Sequence, residues 1–132
     1  ATAVCSLSTE PPSLVACVNR GAWVAQFAPA SGVFAVNVLA ADQEDIARTF
    51  AGQTGLVGEE RFQVGAWRAG VTGAPLVANC LAAFDCRLDR AVEHTSHVIL
   101  VGHVVETVLG AAPAVSLVYV NGAFTRVAAV AD

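Results

Sequence analysis

The sequence predicts a mainly β fold: a small closed barrel of short strands with two brief flanking helices. Three observations carry that expectation. Apolar runs of strand length recur along the chain, separated by Gly, Pro and Asn-Gly turn signals. Only two stretches show helical spacing. Nowhere do strands and helices alternate in the manner of a parallel βαβ sheet.

The chain has 132 residues, the size of one domain spanning 1–132. Hydrophobic residues make up 55% and charged ones 14%, which excludes a disordered chain and allows a large core. So apolar a composition also implies that a second copy of the chain covers part of the surface. The net charge of −4 argues against nucleic acid and anionic membrane as partners. No charged residue lies between Thr107 and Thr125, long enough to raise a membrane span. Pro113 and the Asn121-Gly122 turn signal divide that run into two strands instead. The four cysteines, Cys5, Cys17, Cys80 and Cys86, show no CxxC or zinc spacing. They are read as reduced, mostly buried thiols of a cytoplasmic protein.

In chain order, ATAVCSLSTEPP opens with small and hydroxylated residues and stops at Pro11-Pro12, and an apolar strand follows from Ser13 to Val18. Small residues let a phosphate or a ring approach the backbone closely, although a Ser/Thr-rich turn between strands has the same composition. A short helix is expected from about Trp23 to Ala28, ending through Pro29 and Gly32. Val33 to Leu39 forms an almost unbroken apolar run, read as a strand buried on both faces with the Asn37 amide set inside it. Asp42 is placed to cap the second helix, with Asp45 in capping-box register. Ile46 and Phe50 share one face of that helix, and Gly52 ends it.

Gln53 to Arg61 is polar and glycine-rich, the composition of a surface loop. Gly73 and Pro75 mark a turn, and Leu81 to Leu88 a strand with Phe84 and Cys86 on one face. His94 is placed in the following loop and His97 at the start of a strand that runs through Val101 and on from Val104 to Val108. His94 and His97 have half of a metal-site spacing, but no further ligand stands near them, so no metal is expected. Val115 to Val120, the Asn121-Gly122 pair and Phe124 to Val130 form a hairpin with I′-turn chemistry. There is no GxGxxG phosphate fingerprint.

The segment SGVFAVNVLAADQEDIARTFAG resembles the strand-helix signature of the short-chain flavin reductases. Thr2 to Pro12, Cys17-Val18-Asn19, Arg61-Phe62, Ala66-Trp67, Thr72 to Leu76, Ala82 to Arg87 and His97 resemble further motifs of that family, covering nearly the whole chain. The resemblance implies an FMN-binding split β-barrel, homodimeric, with flavin at the subunit interface. It implies an NAD(P)H:flavin oxidoreductase that uses FMN or FAD with NADH or NADPH as co-substrate and supplies reduced flavin to a separate monooxygenase. The alternative within enzymes is a reductase acting directly on a bound acceptor such as a corrin, and the alternative from outside enzymes is a flavin-binding module without turnover. The pyridoxamine-phosphate-oxidase-like branch shares the barrel, but the basic cluster for a pyridoxal phosphate is missing. Carried over residue by residue, flavin contacts fall on Thr2, Ala3, Cys5, Ser6, Ser8, Cys17, Asn19, Arg20, Asn37, Phe50, Arg61 and Phe62. His97 takes the catalytic position beside the nicotinamide, and Tyr119 and Phe124 lie near the site.

Gly21, Ala22 and Trp23 stand where the family commonly has hydroxyls for the flavin phosphate, leaving Arg20 as the phosphate partner with loop amides helping, or Trp23 as a stacking surface for an adenine. Ser96 and Val98 replace the usual Asp and Thr around His97. The flavin carries the redox chemistry and the protein positions it, with the nicotinamide C4 brought within roughly 3–3.5 Å of the flavin N5. The chain contains no methionine, and the resembling proteins carry roughly one more strand and a helix ahead of this point, so an N-terminal strand and helix are expected before Ala1.

Overall fold

The computed structural model describes residues 1–111 and 115–128. In order along the chain are β1 (Ala3–Thr9), β2 (Pro12–Asn19), α1 (Trp23–Ser31), β3 (Val33–Val38), α2 (Glu44–Phe50), a 3₁₀ turn (Gly58–Gln63), β4 (Trp67–Ala69), β5 (Pro75–Val77), β6 (Ala82–His94), β7 (His97–Leu109), β8 (Val115–Val120) and β9 (Ala123–Ala128). The protein is mainly β, as its sequence predicts. The described strands form three sheets rather than one closed barrel: a five-stranded sheet in the order β1-β2-β7-β6-β3, and the pairs β4-β5 and β8-β9. β1 and β3 are the edges of the large sheet, and nothing in that order joins them.

The chain divides into two compact units. The first comprises residues 1–36, 69–75 and 84–107. Alternation along β2 and β7 turns Leu14, Ala16, Val18, Val98 and Leu100 into its core, with Ala25 and Ala28 of α1, Phe34 and Cys86. Leu100 and Cys86 are fully buried. Gly102 is glycine because of this packing: a Cβ there would lie 2.5 Å from Cζ of Phe34. The buried Asp85 carboxylate accepts hydrogen bonds from the Thr72 amide, at 2.9 Å, and from the Thr72 hydroxyl, which fixes the Thr72–Gly73 turn.

The second unit comprises residues 37–68, 76–83 and 108–132. Its buried side chains include Ala41, Ile46, Thr49, Leu76, Val77, Cys80 and Ala83. Asn121 and Gly122 both have positive φ, 51° and 78°, the I′ turn expected between β8 and β9. Val130 and Pro113 lie outside the described residues.

Several boundaries differ from expectation, each for a physical reason. α1 runs past Pro29 to Ser31 and closes on Gly32, whose φ is 76° and whose amide donates to Ala28 O at 2.8 Å. The Ser31 hydroxyl donates to Phe27 O at 2.6 Å, restoring a bond in the last turn. Asp42 does not cap α2. Gln43 occupies the cap position, and its side chain accepts from Ala40 N at 3.0 Å and donates to Ala78 O at 2.8 Å. Asp45 Oδ1 accepts from Ile46 N rather than closing a capping box. Gly52, at φ 78°, follows the C-cap as expected. β3 is buried only at Phe34, with its other residues half-buried or exposed. Residues 58–61 of the expected loop, with Phe62 and Gln63 after them, wind into the 3₁₀ turn. β6 extends to His94, so that residue ends a strand instead of lying in a loop.

Candidate functional site

The first unit gathers most of the expected site residues by strand register. Ala3 pairs with Cys17 and Cys5 with Val15 between β1 and β2. Cys17 pairs with Ile99 and Asn19 with His97 between β2 and β7. Since Leu14, Ala16, Val18, Val98 and Leu100 fill the core, Cys17, His97 and Ile99 lie on the opposite face, where they are half-buried. Thr2 is tied to the same end of β2: its amide and its hydroxyl both donate to Cys17 O, at 2.9 and 3.2 Å. Arg20 is tied to the same end because its amide donates to Ser96 O at 2.9 Å.

β1 is an edge strand whose seven residues are all exposed, with a register shift between Ser6 and Ser8. The Ser8 hydroxyl accepts from Glu10 N at 3.3 Å. Small side chains along this edge leave its main-chain groups accessible.

His97 has a side-chain partner in the turn that precedes it. Its Nδ1 lies 2.9 Å from the Ser96 hydroxyl. When Ser96 donates this bond, the proton resides on Nε2, which is then a donor. Ser96 stands where the resemblance implies an Asp. His94, the last residue of β6, is exposed.

At the loop after β2, Asn19 Oδ1 accepts from Gly21 N at 2.9 Å and Asn19 O accepts from Ala22 N at 2.9 Å. An Arg20 guanidinium nitrogen lies 3.3 Å from a Glu93 carboxylate oxygen. The loop hydroxyls are replaced by Gly21, Ala22 and Trp23, and the Trp23 ring stacks on Phe27 at 5.0 Å.

The other expected residues belong to the second unit and are organised by side-chain contact. The Phe50, Phe62 and Trp67 rings form a triangle with centroid separations of 5.2, 5.3 and 5.0 Å. The Arg61 guanidinium sits 4.9 Å from the Phe50 centroid, and its Nε donates to Gly58 O at 2.9 Å. Asn37 Oδ1 accepts from Val77 N at 3.0 Å, so its amide carries an internal hydrogen bond. Tyr119 and Phe124 are cross-strand partners with ring centroids 5.1 Å apart, and the Arg48 guanidinium lies over Phe124.

All four cysteines are free. Burial raises the thiol of Cys80 above its ordinary range and pushes that of Cys86 up to about 11, the Asp85 charge adding to the latter. Both stay protonated near neutrality, which suits packing and not nucleophilic attack. Among the described residues no group of three or more His, Cys, Asp or Glu side chains is placed to hold a metal ion. Nor is any described helix long and apolar enough to cross a membrane.

Three participants have no clear sequence signal. Ser96 is an ordinary turn residue until its hydroxyl meets His97. Glu93 is 73 positions from Arg20. Trp67 reads as structural, and only its place in the ring triangle connects it to Phe50 and Phe62.

Comparison with known proteins places these features in context. The flavin reductase like domain matches residues 1–128. An FMN reductase (NADH) RutF of Agrobacterium fabrum is 41% identical over 121 residues, covering 92% of this chain and 68% of the relative. The chain spans only 56% of the protein of the same name from Stutzerimonas stutzeri. Among solved structures, BorF, the flavin reductase component of a bacterial two-component tryptophan halogenase, superposes with a TM-score of 0.85 at 33% identity, covering 96% of this chain and 79% of BorF. Streptomyces globisporus C-1027 NADH:FAD oxidoreductase SgcE6, solved in complex with NAD and FAD fragments, gives a TM-score of 0.84 at 33% identity, covering 98% of this chain and 76% of that one.

Proposed function

The chain belongs to the flavin reductase like domain family, and from that premise we propose that it is an NAD(P)H:flavin oxidoreductase. NADH, FMN or FAD, and a proton go to NAD⁺ and the reduced flavin, which leaves for a separate oxygenase. The carrying observation is that register sets Ala3, Cys5, Cys17, Asn19 and His97 on one face of β1, β2 and β7, with Thr2 and Arg20 held by main-chain hydrogen bonds at the same strand ends. A bound flavin supplies the hydride-accepting ring, so no side chain has to act as nucleophile or base. The chain's own residues bind and orient. Main-chain groups and small side chains of β1 meet the ring, Arg20 meets the phosphate, and His97 Nε2 donates to the nicotinamide carboxamide. Phe50, Phe62, Trp67 and Arg61 form a ring cluster within the second unit.

The wider reading includes a split-barrel homodimer. Val15, Cys17, Ile99 and Val101 form a half-buried apolar strip on the face away from the core, and Val4 and Leu7 of the edge strand are 46% and 58% exposed. A second copy of the chain is the cover that suits such a strip. Free thiols at all four cysteines suit the reducing cytoplasm.

Turnover is the decisive measurement. With FMN, FAD and riboflavin added in turn, the purified protein should oxidise NADH only when a flavin is present. Tight flavin binding without NADH oxidation would leave a non-enzymatic flavin carrier as the better account.

A further inference from the structure

We propose that Glu93 sets how tightly this chain holds the phosphate end of a flavin. It does so by engaging Arg20 in an ion pair that an incoming phosphate must open. This rests on the flavin reading above and adds a residue to it. Arg20 is the only cation in the 19–23 loop. Its guanidinium lies 3.3 Å from the Glu93 carboxylate at the far end of β6, and the two side chains are 54% and 72% exposed. The backbone fixes the pairing: Asn19 opposes His97, and the Arg20 amide is bonded to Ser96 O, which holds the β2 end beside the β6–β7 turn.

The rest of the loop cannot compensate. Gly21, Ala22 and Trp23 offer no hydroxyl, and the amides of Gly21 and Ala22 already donate to Asn19. An exposed ion pair of this kind is weak, so a phosphate can displace the carboxylate. After displacement Glu93 remains next to a dianion, and the repulsion between like charges a few Å apart persists until salt screens it. The consequence is selective. FMN carries the penalty and riboflavin, which lacks the phosphate, does not. Weak retention of the phosphate suits a flavin that is released after each turnover. Glu93 is a positioning residue for Arg20 and touches no reacting atom.

The test is a fluorescence titration of FMN and riboflavin against wild type, Glu93→Gln, Arg20→Ala and the double variant. Glu93→Gln should tighten FMN about three- to tenfold at low salt while riboflavin changes less than about twofold. The gain should shrink as salt rises and should be mostly lost in the Arg20→Ala background. Unchanged FMN affinity, equal shifts for both flavins, or the full gain without Arg20 would each overturn the proposal. A wild-type protein that binds neither flavin would overturn the flavin reading itself, a separate outcome from wild-type binding with no Glu93 effect.

Discussion

The two units reach their candidate residues by different means. In the first, Cys17, Asn19 and His97 are aligned by main-chain register, and the core that supports them lies on the other face of the same strands. In the second, Phe50, Phe62, Trp67 and Arg61 hold one another by ring contacts, on short or irregular elements. A register-built face separates stability from chemistry, because alternate residues on a strand do alternate jobs. A contact-built cluster cannot separate them, since each ring is both wall and support.

That contrast can be broken first through stability. Leu100→Ala removes a fully buried side chain of the first unit and should cost about 3–4 kcal/mol in urea unfolding. Phe62→Ala, at a residue 36% exposed on the rim of the ring triangle, should cost about 1–2 kcal/mol. Equal costs would mean that the second unit is as tightly supported as the first.

Alkaline pH sharpens the comparison next. Burial, and secondly the Asp85 charge, pushes the Cys86 thiol from 9.0 up to about 11. The folded state therefore binds this proton more tightly than the unfolded chain does. The resulting stability is complete below about pH 9.0 and is lost as pH rises through about 11, a change of about 2–3 kcal/mol. Cys86→Ala should flatten that decline. Cys80, the raised thiol of the second unit, is slightly less buried, so Cys80→Ala should flatten it less. The reverse order would contradict the packing difference between the units.

The smallest expected effect concerns the histidines across the β6–β7 turn. His97→Ala should raise the KM for NADH or slow hydride transfer about tenfold, the equivalent of about 1.4 kcal/mol and one lost hydrogen bond. His94→Ala should change neither by more than about twofold. Equal effects would show that the turn as a whole matters, and that the register carrying His97 onto the site face does not.

What could be read from the sequence follows the same division. His97 at a strand start, the I′ hairpin turn and the Phe84–Cys86 strand depend on period-two alternation or on turn chemistry, both local signals. His94 is harder to place because β6 turns polar after Leu88, and a strand exposed on both faces has the composition of a loop. Asp42 is the stronger capping residue by type, yet Gln43 takes the cap position without making a side-chain cap hydrogen bond. The choice falls to Gln43 because its longer side chain also reaches Ala78 O, 35 positions away. The pairing of Arg20 with Glu93 and the meeting of Phe50 with Trp67 depend on tertiary placement, which no local pattern encodes.

The exposed first strand has a consequence for handling the protein. From Ala1 to Thr9 no side chain carries a charge, and Val4 and Leu7 belong to a strand whose outer edge has no partner strand among the described residues. Such an edge is a template onto which another chain can add a strand, and charges or prolines are the usual guards against it. Here the guards are slight: the irregularity between Ser6 and Ser8, then Glu10 and the two prolines after it. Concentrated samples stripped of whatever covers that edge will therefore tend to aggregate, and a ligand or second subunit lying on it acts as a solubiliser.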